Sequence, residues 1–292
     1  MFRYLTIISI LLIGNLCVQG QSQEHNRIKI LSYNVLYGLQ KDSTNIDNYK
    51  KLIDKLKPDI VATQEMNGWT QKSLELLAHS YGHPYALQSK EDGFPVALTS
   101  RYPLVNFKKI TENMWHSFIY AKVEGLHIFV IHFSPFSYVK RLEEVETIIA
   151  HTYEIPSTEP ILIMGDFNSL FGDDAKNYGD KILKSALEQE KKHNHIRNLN
   201  NGRLDYSVLN KLTRAGFKDA VSLKNLDFMS TIPTYKDGNG LIKETIEGNP
   251  RRIDFIFLND SAAKRLVSST IIKDEFTHYI SDHYPVYIEL NK

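Results

Sequence analysis

The sequence is poor in cysteine: its 292 residues include one, Cys17. That residue falls in a segment that we predict is removed, which leaves none in residues 21–292. A lipid-modified Cys17 is disfavoured because Leu16 is bulkier than the small residue expected before such a site. The mature chain therefore has no disulfide, zinc–thiolate site or thiol nucleophile, and its stability must come from its core.

The sequence also lacks an excess of either charge. It has 35 Lys and Arg against 34 Asp and Glu, and residues 1–20 contain one Arg and no acid, so the mature chain is formally neutral. Proteins that bind nucleic acid without sequence preference usually carry a basic excess that neutralises phosphates. A large polyanionic ligand is therefore not favoured, although a local basic patch remains compatible with the sequence.

Long apolar runs are missing beyond the N-terminus. Residues 1–20 combine a basic start at Arg3, a mostly apolar run at 5–13 and modest side chains at 18–20, which is typical of a signal peptide. No later stretch approaches the ~20 apolar residues of a membrane span. We predict a secreted or periplasmic protein with a signal peptide at 1–20 and one domain at 21–292, expected to be a monomer.

Among the features that are present, the stretch ILIMGDFNS at 161–169 is central. An apolar run that stops at Gly-Asp-x-Asn predicts a buried strand that delivers Asp166 and Asn168 to its carboxyl end. The two side chains lie two residues apart and point the same way from extended backbone. Taken alone, the pattern also fits an ordinary turn.

Other predicted strands end in the same way. Further strands are predicted at 27–35, 59–65, 93–100, 117–124, 126–133, 252–258 and 285–290, and helices at 47–56, 138–152 and 206–215, with a loop and helix at 173–187. Most of the polar residues singled out lie at or beside strand ends, while Asp254 falls within its predicted strand: Asn34, Glu65, His132, Asp166, Asn168, Asp254, Asp282 and His283. Individually they fit turns or hydrogen-bonded core histidines, but their shared placement favours a catalytic site.

These residues lie in motifs whose order resembles the endonuclease/exonuclease/phosphatase superfamily, the fold of DNase I. The motifs are SYNV at 32–35, QE at 64–65, IHF at 131–133, GDFNS at 165–169, RRIDFIF at 251–257 and SDHYPV at 281–286. The resemblance covers nearly all of the mature chain. It implies an α+β fold, a four-layer αββα sandwich of two packed mixed sheets flanked by helices. The strand–helix–strand pattern alone suggests a doubly wound parallel sheet instead.

The resemblance further implies a metal-dependent hydrolase of phosphoric esters, with Mg²⁺ expected first and Mn²⁺ second. On the metal side it implies Glu65 and Asp282, with Asn34 helping to fix metal or phosphate. Asp166 would orient or deprotonate the attacking water, and Asn168 would donate to a phosphoryl oxygen. His283 would contact the phosphate or act as acid or base, Asp254 would fix its tautomer, and His132 would donate a further hydrogen bond.

One position departs from part of the superfamily. Leu36, two residues after Asn34, stands where apurinic endonucleases have a carboxylate, so a repair endonuclease is less favoured. The leading hypothesis is a secreted phosphodiesterase or phosphatase, and the alternatives are a secreted nuclease or a non-catalytic binding protein that keeps the fold. The substrate and the number of metal ions stay open.

Two further features have open interpretations. Trp115, Phe133, Phe136 and Tyr138 either border the site or simply pack. The polar segment at 188–203 is interpreted as a solvated insertion rather than a ligand contact, and the role of residues 188–206 stays open. It contains His193 and His195, which lack a third nearby ligand and are therefore a weak metal signal.

Overall fold

The structure, a computed structural model, describes residues 26–225 and 227–292, and the predicted signal peptide lies outside them. The strands are β1 Arg27–Asn34, β2 Ile60–Gln64, β3 Tyr85–Gln88, β4 Ala97–Ser100, β5 Val105–Ile110, β6 Ser117–Val123, β7 Leu126–His132, β8 Ile161–Asp166, β9 Leu199–Asn200, β10 Arg203–Leu204, β11 Lys218–Asp219, β12 Asp254–Leu258, β13 Leu266–Ile271 and β14 Val286–Asn291. The helices are α1 Leu36–Leu39, α2 Ser43–Leu56, α3 Gln71–Ser80, α4 Tyr138–Thr152, α5 Asp180–Lys192, α6 Ser207–Arg214, α7 Ala220–Lys224, α8 Asp260–Ala263 and α9 Thr277–Ile280, with a 3₁₀ helix at Gly172–Asn177. Within these residues, no helix has the length and apolar character needed to cross a membrane.

The strands form two six-stranded mixed sheets and a small ribbon of β9 and β10. The first sheet has the order β13-β14-β1-β2-β4-β3, and the second has the order β11-β12-β8-β7-β6-β5. Each contains one parallel pair, β1 with β2 and β7 with β8, and the helices α2 and α4 lie in the two crossovers. The strand–helix–strand prediction is thus right locally. The doubly wound parallel sheet is wrong, because every other strand pair within these sheets is antiparallel.

Alternating side chains explain the layering. In β1, Ile28 and Ile30 are buried in a core between the sheets, where they meet residues such as Met164 of β8. Leu31 and Tyr33 point to the other face and belong to a second core with residues of α2 and α3. A third core joins the outer face of the second sheet to α4 and α6. Because side chains alternate across a strand, both faces of each sheet are apolar and covered. This confirms the predicted αββα sandwich.

A buried ion cluster fixes the entry to β12. The Arg252 guanidinium donates from Nε to Asp174 Oδ2 at 2.8 Å and from Nη1 to Asp219 Oδ2 at 2.6 Å. It also lies 4.8 Å from the ring centroid of Phe255. A buried charge is tolerated when it is paired and hydrogen-bonded. Arg252 therefore holds the 3₁₀ helix and the start of α7 against the strand that begins at Asp254.

Candidate active site

Three of the predicted site residues lie side by side in the second sheet. His132 at the end of β7 is the register partner of Asp166 at the end of β8, and Asp254 at the start of β12 pairs with Asp166 from the other side. The strand predicted at 252–258 placed Asp254 within it, whereas in the structure Asp254 is the first residue of β12. Register partners project to the same face of a sheet. The strand ends therefore place an imidazole and two carboxylates in one row.

The glycine before Asp166 is required by the close approach of β7 and β8. Gly165 has φ +145°, and a Cβ built there would lie 2.0 Å from the carbonyl oxygen of Ile131. No other residue type fits without moving the backbone. The Gly-Asp step thus brings Asp166 next to His132.

Asn34 links this row to the first sheet. Its Nδ2 donates to Asp166 Oδ2 at 3.0 Å and to Glu65 Oε1 at 3.2 Å. Its Oδ1 accepts from the Leu36 backbone nitrogen at 3.1 Å, which fixes the amide orientation. The other Asp166 oxygen accepts from the Asn168 backbone nitrogen at 2.8 Å. Asn34 and Asp166 are both buried, so this bridge holds the two sheets in register at the site.

Glu65 follows β2 with an unusual backbone conformation. Its φ is +60°, which is uncommon for a residue with a Cβ. The conformation lets Glu65 Oε2 accept from the Tyr37 backbone nitrogen at 3.0 Å. Asn168 also has a positive φ, +49°. Such backbone positions concentrate at functional sites because the surrounding structure must hold them in place.

His283 and Asp254 form the predicted pair. His283 Nδ1 lies 2.8 Å from Asp254 Oδ2, so the expected contact is confirmed. His283 Nε2 then faces two other carboxylates, at 3.9 Å from Asp166 Oδ2 and 3.9 Å from Asp282 Oδ1. Asp254 thus fixes the ring so that Nε2 points to the region between Asp166 and Asp282.

His132 lies on the other side of Asp166. Its Nε2 is 3.6 Å from Asp166 Oδ2, and its ring stacks on His116 with centroids 4.2 Å apart. Burial, followed by the neighbouring His116 and His283, lowers the pKa of His132 well below its usual range, so the ring is neutral. Asn168 is the other predicted hydrogen-bond donor. It donates one amide N–H to the carbonyl oxygen of Phe133 at 3.0 Å, and its second amide N–H is available to a ligand.

The electrostatics of the site are dominated by carboxylates. Burial, and next the Asp254 carboxylate, raise the pKa of Asp166 to about 7. Burial also raises the pKa of Glu65, and the Asp282 charge adds to that rise. Burial opposes protonation of His283, but Asp254, Asp282 and Asp166 raise its pKa well above the usual value. His283 is therefore an imidazolium among four acids.

This donor set suits a hard divalent cation. Oδ1 of Asp254 is buried without a hydrogen-bond partner in the described chain, which is costly unless a ligand satisfies it. Ligand atoms of Asp166, Asp254 and His283 lie within 4.8 Å of one another. Asn34 and Glu65, predicted on the metal side, are hydrogen-bonded together, and Asp282 lies close enough to raise the pKa of Glu65. Oxygen-rich, carboxylate-based sites are those that Mg²⁺ and Mn²⁺ prefer.

Sequence reasoning missed two residues beside the site. His116 stacks on His132, and Phe94 in turn packs on His116 at 5.2 Å between centroids. Burial lowers the pKa of Arg251, and the nearby Asp282 and Asp166 charges oppose that shift. Its side chain donates one hydrogen bond within the described chain, to the carbonyl oxygen of Asn249 at 3.4 Å. Arg251 opens the RRIDF motif, so the signal for it was present in the sequence.

The four aromatic residues were expected either to border the site or simply to pack, and the structure differs among them. Phe133 is fully buried and packs on Phe167 with centroids 5.3 Å apart, which confirms simple packing for this residue. Trp115 is 51% exposed and meets Phe136 edge-on at 5.4 Å. Phe136 also contacts His195 at 5.1 Å. Trp115 and Phe136 thus form a small aromatic surface, whose relation to substrate stays a prediction.

Comparisons with known proteins agree with this geometry. Residues 31–283 match the model of a family described as the Endonuclease/Exonuclease/phosphatase family. A comparison with curated proteins finds no match.

Solved structures show the same architecture. An AP endonuclease from Archaeoglobus fulgidus has a TM-score of 0.68 at 20% identity, covering 89% of this chain and 98% of that one. The 3′ phosphatase NExo from Neisseria, bound to a product DNA hairpin, has a TM-score of 0.67 at 18% identity, covering 91% and 100%. TDP2 from D. rerio, complexed with a single-strand DNA product, has a TM-score of 0.61 at 17% identity, covering 91% and 99%. At these identities the similarity shows the fold, and it does not transfer a substrate.

Proposed function

Because the chain belongs to the Endonuclease/Exonuclease/phosphatase family, we propose that it is a divalent-metal-dependent hydrolase of phosphoric esters. One observation carries this proposal. The hydrogen-bond chain Glu65–Asn34–Asp166 and the pair Asp254–His283 meet at Asp166, which lies 3.9 Å from His283 Nε2. A base and an imidazolium thus lie side by side, where both would face a phosphate bound next to them.

Asp166 is proposed as the group that orients the attacking water and accepts its proton. Hydrogen bonds from Asn34 and Asn168 hold the carboxylate at both oxygens. Its raised pKa, about 7, gives it the basicity that a carboxylate of ordinary pKa lacks near neutral pH. The free N–H of Asn168 would donate to a phosphoryl oxygen as negative charge builds there.

His283 is proposed to act on the phosphate from its position next to Asp166. Asp254 keeps its ring oriented, and the raised pKa keeps it protonated. The Nε2–H would donate to a phosphoryl oxygen or protonate the departing alkoxide, so that the alcohol leaves neutral. Neutral His132 would donate a further hydrogen bond to the phosphate.

Asn34, Glu65 and Asp282 are proposed to hold the cation. A bound Mg²⁺ or Mn²⁺ would supply charge neutralisation of the phosphate, which a site rich in carboxylates would otherwise repel. Two observations support this: Asp254 Oδ1 has no hydrogen-bond partner in the described chain, and burial and the Asp282 charge raise the pKa of Glu65. A bound cation would stabilise both carboxylates.

The metal requirement is the direct test. Chelator should lower the hydrolysis of an aryl phosphodiester by residues 21–292 at least about tenfold, which corresponds to only ~1.4 kcal/mol, and added Mg²⁺ should restore it. Glu65→Gln should raise the Mg²⁺ concentration for half-maximal rate about 10–100-fold, the range found when a metal site loses a supporting group. Glu124→Gln is the matched control. Glu124 is exposed in the turn between β6 and β7, at the other end of this strand pair from His132. A rate indifferent to chelator would refute metal dependence.

We also propose that residues 1–20 direct export and are removed. The basic start and short apolar run support this, and they lie outside the described residues. N-terminal analysis of the exported protein should find a chain that begins near residue 21. An intact N-terminus on a protein retained inside the cell would contradict it.

A nuclease is the second candidate. Two of the similar structures hold DNA products, which is a property of those proteins. Against it stands the charge balance of residues 21–292, which gives no general basic surface for a polyanion.

A further inference from the structure

A pocket of about 240 Å³ opens beside the proposed active site. Asn168, Arg251 and Ile253 line it on the side of the catalytic residues, and Ile253 directly precedes Asp254. Side chains of α5 and of the β9/β10 ribbon line the opposite side. We call this space the side pocket.

The far wall comes from the segment whose role the sequence left open. Ile182 and Ala186 of α5 contribute to it, together with Ile196, Leu199 and Leu204 from the following segment. Leu199 is buried and Ile196 is half-buried. The interpretation of residues 188–203 as a solvated insertion is therefore wrong for Ile196 and Leu199, because their side chains help to close a cavity next to the site.

Polar groups with unused hydrogen bonds face this apolar wall. Arg141 lines the pocket, is 3% exposed, and donates from Nη1 to the carbonyl oxygen of Ser134 at 2.9 Å and to Asn198 Oδ1 at 2.8 Å. Its Nε has no acceptor in the described chain. Within the described chain, the Arg251 side chain donates one long hydrogen bond, from Nη1 to the carbonyl oxygen of Asn249 at 3.4 Å. A guanidinium has five donors, so both side chains have capacity beyond their protein contacts.

The pocket is small and mixed in character. An engineered cavity of ~150 Å³ takes benzene, and pockets for drug-sized ligands begin at ~300 Å³. About 240 Å³ therefore accommodates one ring or sugar-sized group with a few polar atoms. Apolar walls with a few placed donors are typical of sites that select a small organic group.

We propose that the side pocket binds the organic group of the substrate, and that the substrate is a small phosphoric ester whose alcohol carries a single ring or sugar-sized group. The phosphate would lie at Asp166 and His283, and Asn168 and Arg251 would contact it where the pocket meets the site. This inference rests on the proposed function and adds the substrate class to it.

Direct binding tests the proposal independently of turnover. Calorimetry with Mg²⁺ compares methyl phosphate with phenyl phosphate on residues 21–292. We expect phenyl phosphate to bind at least about tenfold more tightly, the lower end of what one methylene-sized contact gives in a fitted pocket. Ala186→Trp, which fills the pocket from α5, should bring the two affinities together. Leu187→Trp places the same ring on the next, exposed residue of α5 and should keep the wild-type ratio.

The possible outcomes distinguish a failure of the side-pocket assignment from a failure of the proposed hydrolase function. Equal affinities for both esters in the wild-type protein, or a ratio that Ala186→Trp leaves intact, would overturn the side-pocket assignment even if chelator-sensitive hydrolysis is found. A tenfold ratio removed by Ala186→Trp supports the assignment even if the metal test fails. A single-stranded DNA oligomer that binds more tightly than phenyl phosphate, and equally well to Ala186→Trp, would contradict the small-ester class and favour the nuclease.

Discussion

Asp166→Asn is expected to lower kcat by about 10²–10⁴, the usual contribution of a general base. Asparagine keeps the shape of the side chain and can still accept from the Asn168 backbone nitrogen, which lies 2.8 Å from Asp166 Oδ1. It cannot accept a proton from water, and it removes the carboxylate that faces His283 Nε2 at 3.9 Å. The loss should therefore appear in kcat rather than in KM.

Stability provides the internal control for this variant. Burial and Asp254 raise the pKa of Asp166 to about 7 in the fold, above its unfolded value. For an acid with a raised folded pKa, the folded state binds more protons between the two values, so stability falls as pH rises through that window. Asparagine carries no charge, so the urea midpoint of Asp166→Asn should lack the fall that wild type shows as pH rises from 6 to 8. The variant loses the hydrogen bond from Asn34 to Oδ2 at every pH, so the pH dependence rather than the absolute midpoint is compared.

Kinetics of Asp166→Asn are compared with those of Asp173→Asn, an exposed residue of the 3₁₀ helix. The control should keep wild-type kcat. A kcat for Asp166→Asn within twofold of wild type, with a normal urea midpoint, would show that another group takes the proton.

The sequence predicted the positions of several candidate site residues in the fold because each motif is local. A strand's apolar run and the polar residue that ends it lie within ten residues, and this placed Asn34, Glu65, His132 and Asp166 correctly at strand ends. The family resemblance implied the pairing of His283 with Asp254, which the structure shows at 2.8 Å, and the cost of an unpaired carboxylate among apolar neighbours agrees with it. The family resemblance supplied the rest, including the sandwich.

Other features depend on contacts between segments far apart in the chain. The bond from Asn34 to Asp166 crosses from one sheet to the other over 132 residues, and no local pattern encodes it. The pairing of strands into sheets also depends on contacts between segments far apart in the chain. A buried strand with apolar faces on both sides looks the same in a parallel sheet and in a sandwich, so the pattern alone favoured the wrong architecture.

Among the elements of the structure that were not predicted from the sequence, two have weak hydrophobic periodicity, and a third has a clear helical signal. β5 is exposed almost throughout, and β13 alternates only partly, so neither has a strong apolar period. By contrast, α3 begins with a Thr70 capping box and buries Leu74, Leu77 and Ala78 at helical spacing. The side pocket could not be predicted, because a polar segment rich in Lys and Asn closes it with three scattered apolar residues.

His283→Ala is expected to lower kcat by about 10⁴, on the scale seen when a catalytic imidazole or its orienting acid is removed from a triad. His283 is the protonated group that faces the phosphate position, and Asp254 holds its Nδ1 at 2.8 Å. Asp254→Asn should lower kcat by a similar order, because an uncharged asparagine side chain does not stabilise the imidazolium form of His283. His79→Ala, an exposed histidine of α3, should be neutral.

The double variant distinguishes a working pair from two separate contributions. If Asp254 acts only through His283, then His283→Ala with Asp254→Asn should be no slower than His283→Ala alone, whereas independent roles would multiply to about 10⁸. Rates are measured with saturating Mg²⁺, and near-ultraviolet circular dichroism checks that each variant is folded. Multiplicative losses would show that Asp254 has its own role, and the orphaned Oδ1 of Asp254 would then point to a bound cation. Full activity of His283→Ala would remove the imidazole from the proposed mechanism altogether.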